Sequence, residues 1–115
     1  MMIKRIKLVD ENAKEWEFKV KLNNRSMIAI ERALKEEIDE NLTFFSGSSR
    51  LAKEEIEVIL IFVSNMLFVN NETYPIGMDF FDDNEISFMF NIQKIMSSVM
   101  EVISKSTAPT ATKKK

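Results

Sequence analysis

The sequence predicts a mainly α protein with an N-terminal β-hairpin (α+β), in which three main helices pack on a small two-stranded hairpin. Three observations carry this reading. Glu15 to Leu22 alternates charged and apolar residues without a break. The segments 27–38 and 88–103 repeat apolar residues at spacings of three and four. An apolar fraction of 45% in 115 residues suits one globular core.

The hairpin is placed at 2–22. Its first strand uses Ile3, Ile6 and Leu8 with imperfect alternation, and Asp10 to Ala13 form the polar turn. In the second strand Trp16, Phe18, Val20 and Leu22 share one face and charges the other, the period of a half-buried strand. A lone hairpin is marginal in water, so this face must pack on something. Asn23 and Asn24 break the strand, and Asn24 or Ser26 is the expected cap of a helix at about 25–40, with Met27, Ile30, Leu34 and Ile38 inward. Glu31 and Lys35 are spaced as an i,i+4 ion pair.

Ser46-Gly47-Ser48-Ser49 reads as a flexible connection. A second helix is expected at about 50–69, capped by Ser49 and apolar all round from Val58 to Val63, which requires a central position or an interface. The run alone fits a buried strand as well; its continuation through Met66, Leu67 and Phe68 favours helix. Pro75 and Gly77 mark a loop, and Met78 to Glu85 a short helical turn. The last helix is expected at about 85–105, capped by Asp83 or Asn84. Residues 1–106 then form a single domain, and 107–115 a disordered tail.

Composition narrows the function. With no Cys and no His, disulfides, thiol nucleophiles, Cys/His zinc sites and Ser-His-Asp triads are excluded. Two glycines cannot build a phosphate loop or a dinucleotide fingerprint. The spacing of Asp79, Asp82, Asp83, Asn84 and Glu85 does not fit a calcium loop, and capping explains these residues. Glu36/Glu37 and Glu54/Glu55 fall on polar helix faces, unsuited to acid–base work. No catalytic, metal or cofactor site is therefore expected, and the chain is not read as an enzyme. A formal charge of −2 argues against a nucleic-acid partner. The longest apolar run is far short of the roughly 20 residues that cross a bilayer, and no signal peptide is visible, so a cytosolic protein without a membrane partner is expected.

Nine Phe and eight Met exceed what so small an interior needs. Phe80, Phe81, Phe88, Met89, Phe90, Met96 and Met100 are the candidate partner-binding residues, because Phe88, Met89 and Phe90 cannot all face one core.

Trp16-Glu-Phe-Lys-Val-Lys-Leu22, then Asn23-Asn24-Arg25-Ser-Met-Ile-Ala-Ile30-Glu31-Arg-Ala-Leu34, resembles the N-terminal signature of tail assembly chaperones of long-tailed bacteriophages, in particular siphophages of Gram-positive hosts. The likeness covers roughly 15–105 in layout, with Asn23-Asn24 where a Thr pair is more usual and an uncommon Phe80-Phe81 turn. It implies a chaperone of the host cytoplasm, absent from the mature virion. Such a protein binds and solubilises the tape measure protein and assists polymerisation of the major tail tube protein. It also implies homo-oligomers, and a frameshifted longer product if Lys113 to Lys115 are encoded by an A-rich slippery run. The alternative is a small regulatory adaptor that binds one specific protein partner.

Overall fold

The computed structural model describes residues 2–69 and 72–107. Its N-terminal hairpin joins β1 (Ile3–Val9) to β2 (Glu15–Lys21). Antiparallel pairing sets Ile6 opposite Phe18 and Leu8 opposite Trp16. Ala13 takes a left-handed φ of 65° at the turn, where the Asp10 carboxylate accepts from the Asn12 and Lys14 amides at 2.8 and 2.9 Å.

A third strand, β3 (Leu67–Val69), pairs antiparallel with β2 in the order β1-β2-β3, with Leu67 opposite Val20 and Val69 opposite Phe18. The sheet is thus three-stranded, not two. Its inner face carries Ile6, Leu8, Phe18, Val20 and Leu67, all buried.

Helix α1 (Asn24–Glu37) is capped by Asn23, whose Oδ1 accepts from the Ser26 amide at 2.8 Å, so the cap lies one residue before the expected Asn24. Ile30 and Leu34 are its fully buried residues. Glu31 does not reach Lys35: its carboxylate accepts the Phe44 amide at 2.7 Å and so ties α1 to the next helix.

Here the structure corrects the sequence reading. Ser46 to Ser49 are not a flexible connection but the body of α2 (Phe44–Arg50). Thr43 opens it with a reciprocal box: the Ser46 amide donates to Thr43 Oγ1 at 3.1 Å and the Thr43 amide to Ser46 Oγ at 2.9 Å. Gly47 faces α1 so closely that a Cβ there would lie 2.3 Å from Leu34 Cδ1. The glycine reports close helix packing, not chain freedom.

A 3-10 turn at Leu51–Lys53 ends with Glu54 in the left-handed region, and α3 (Ile56–Met66) follows. The expected helix at 50–69 is therefore shortened at both ends: Ser49 does not cap it, and after Met66 the chain extends into β3. Val58, Ile59, Ile61, Phe62, Val63 and Met66 are buried, as a helix apolar all round requires, and α3 packs on α1, β2 and the last helix.

Helix α4 (Phe80–Asp83) is the short turn foreseen at 78–85, though Asp79 makes no side-chain cap bond. Glu85 then turns left-handed, and α5 (Phe88–Thr107) starts three residues later than expected. Ser87 Oγ, not Asp83 or Asn84, accepts the Phe90 amide at 3.1 Å. Five α-helices stand among the described residues where three were expected, in a mostly helical α+β fold. The expected tail, apart from Thr107 at the end of α5, lies outside the described residues.

Helix α5 also closes the sheet edge. Asn91 is bidentate on β1, with Oδ1 accepting from the Val9 amide at 3.2 Å and Nδ2 donating to the Val9 carbonyl at 3.1 Å. Lys94 Nζ donates to the Lys7 carbonyl at 3.0 Å, and Glu101 pairs with Lys4. These side chains stand where a fourth strand would pair, and so block part of that edge.

Gly47→Ala tests the close packing of α1 and α2. Overpacking against a buried Leu34 should outweigh the gain in helix propensity and cost about 1–2 kcal/mol in chemical denaturation. In a Leu34→Ala background the same change should become neutral or stabilising.

Candidate interaction surface

The seven candidate residues divide into two groups. Phe81 is buried, tilted against Phe18 and Phe88 with ring centroids 6.4 and 5.8 Å apart. Phe80 is half-buried, edge-on to Trp16 at 5.6 Å and to Phe18 at 5.9 Å. Together with Phe88 they form an aromatic cap over one end of the sheet's inner face. A Phe-Phe pair on a single helical turn reaches adjacent sites in that cap, so Phe81 faces the core and not solvent.

Met89, Phe90 and Met100 do face solvent, Phe90 most of all at 75% exposure, while Met96 and Phe88 are half-buried. The division follows from α5. Ile95, Val99 and Val102 turn to the core with no exposure, so the flank bearing Met89, Ile92, Met96 and Met100 is left at its border, at spacings of three and four. This flank meets the start of α3. Met89, Ile92, Gln93 and Met96 line a groove of about 290 Å³ with Glu54 and Ile59. Ile56 lies half-exposed in the first turn of α3. Phe90 points to the other flank, where it lines a groove of about 560 Å³ with Val9, Asp10, Glu11, Ala13 and Ser87.

The second groove rests on a carboxylate that sequence reading treated as turn polarity. Asp10 is buried, and its Oδ2 accepts from the Trp16 indole at 3.0 Å. That hydrogen bond holds the Asp10 carboxyl below its ordinary range. Burial opposes it, and the Lys14 and Asn12 amides and the Lys14 charge reinforce it. The signal was available, because an Asp six residues before the sole Trp across a tight turn can meet its N–H. Ile28 on α1, Phe45 on α2 and Tyr74 between β3 and α4 are exposed as well. In the Phe44-Phe45 pair, Phe44 enters the core and Phe45 stays outside.

Met89, Phe90, Met96 and Met100 make this surface largely apolar, and soft, rotatable methionine side chains are fit to accept an apolar helix face. No protein-family model, curated protein or solved structure matches the chain or its fold.

Two expectations follow. Phe81→Ser should lower stability by about 3 kcal/mol or more in chemical denaturation, whereas Phe90→Ser should stay within about 0.5 kcal/mol of the parent. For Asp10 the lowered pKa means that its contribution is complete at neutral pH and is lost as pH falls below about 4. Asp10→Asn should therefore be less stable than the parent at pH 7, and the two unfolding curves should converge at acid pH.

Proposed function

We propose that the chain is a tail assembly chaperone of a long-tailed bacteriophage. It binds and solubilises the tape measure protein in the host cytoplasm, assists polymerisation of the tail tube, and is absent from the finished virion. The observation that carries this reading is the exposed flank of α5, with Met89, Phe90 and Met100 in solvent beside a groove, on a protein that already holds a filled core.

The physical case is one of supply and fit. A long helical tape measure presents apolar stripes that would otherwise associate with one another. A helix laid along α5 meets anchors at matching spacing, and methionine lets one surface adapt to many segments of a non-repeating partner. Each contact is small and weak. Coverage therefore depends on many copies acting together, and incoming tube subunits displace them one at a time. The resemblance of residues 16–34 to the chaperone signature supports the same reading.

Co-expression with a phage tape measure protein tests the proposal. The long chain should move into the soluble fraction and co-purify with this protein. A variant carrying Met89→Glu, Phe90→Glu and Met100→Glu should lose both effects with its thermal midpoint within a few degrees of the parent. If the tape measure gains no solubility and does not co-purify, the assignment is wrong. Stoichiometric binding of one other protein would instead identify the regulatory adaptor.

A further inference from the structure

We propose a second docking site at the opposite end of the hairpin: a cationic groove that takes an extended acidic segment of a partner protein. The groove, about 840 Å³, is lined by Lys21, Arg25, Ala29, Phe68, Tyr74 and Pro75 among others, with Glu72 its one acidic member among the described residues. Lys21 Nζ sits 4.4 Å from the centre of the Phe68 ring and the Arg25 guanidinium 5.6 Å from that of Tyr74. A contact with a ring face orients a cation without consuming an N–H donor. Among the described residues, neither Lys21 nor Arg25 pairs with a carboxylate.

The neighbouring sheet surface extends the charge. On the outer face Arg5 stands opposite Lys19, and Ile3 opposite Lys21. The arrangement stands out in a chain of net charge −2, because between Glu36 and Glu85 the only cations are Arg50 and Lys53.

The groove also selects among anions. A nucleic acid needs a continuous cationic track, and Glu17 and Glu72 interrupt this one. An extended segment sends alternate side chains to opposite sides, so carboxylates can meet Lys21 and Arg25 while an apolar residue meets Tyr74 and Pro75.

Calorimetric titration of the full chain at low salt tests this. The probe is a capped peptide of about eight residues, Glu-rich with an internal Phe and Leu, and its control has every Glu replaced by Gln. Binding of the Glu peptide alone is expected, weakened by added salt. Lys21→Glu with Arg25→Glu should weaken it about tenfold or more, a loss of about 1.4 kcal/mol. Tyr74→Ala, at an exposed residue, should weaken it without unfolding the protein. The triple α5 variant should bind as the parent does, which separates this site from the proposed chaperone surface. The inference is overturned if the two peptides bind alike or not at all. It is also overturned if an oligothymidylate binds more tightly than the Glu peptide, or if the charge reversal abolishes self-association seen by light scattering.

Discussion

The fold depends on covering the inner face of β2. A strand that alternates Trp16, Phe18, Val20 and Leu22 with charges has one face that water must not reach, and two strands cannot hide it. The protein answers from three directions. β1 and β3 flank β2 in the sheet, α3 and α5 pack on it, and the rings of Phe80 and Phe81 close on Phe18. Phe18 and Val20 consequently have no exposure. Burying a large apolar side chain contributes on the order of 2–3 kcal/mol, so this shared contact is a substantial part of what a domain of this size has to offset its ordering entropy.

What was legible in the sequence is what has a local period. The alternation at 15–22 gave β2 nearly to the residue, and the spacing of Ile30 with Leu34, and of Ile95 with Val99 and Val102, gave the inward faces of α1 and α5. What escaped was set by contacts distant in sequence. Leu67-Phe68-Val69 continues an apolar helix without a break, and only the free edge of β2 makes it a strand. Serines and a glycine at 46–49 carry the statistics of a loop, but Thr43 and Ser46 satisfy the first amides of α2, and Gly47 is the residue that admits Leu34.

The candidate surface was legible in the same partial way. An excess of Phe and Met was visible in composition, and composition cannot say which member of an adjacent pair is inside. Phe80 and Phe81 were drawn into the aromatic cap because Glu85 turns left-handed and returns the chain toward β1, where the Glu11 amide donates to the Glu85 carbonyl at 2.9 Å. That reversal has no periodic signature. Met89 and Phe90 stay outside for a simpler reason: Asn91, the next residue, must reach Val9 to block the sheet edge. Fixing Asn91 against β1 fixes the rotation of α5, and that rotation leaves the methionine flank in solvent. The edge block and the exposed stripe are two results of one helix orientation.

The same hairpin sets how far Phe90, at one end of the α5 surface, lies from the second proposed groove. Phe90 sits over the turn end, beside Val9 and Ala13, and Lys21 stands at the open end opposite Ile3. Strands of seven residues at about 3.3 Å each separate these ends by roughly 20 Å. One partner chain with an apolar helix joined to an acidic extended segment would span that distance with a linker of about six or more extended residues. Where both proposed surfaces engage one partner, the second contact forms at the effective concentration set by the linker. Because one contact is apolar and the other ionic, salt weakens the second and leaves the first largely intact. A complex held in both ways can be loosened stepwise, as the proposed chaperone role requires.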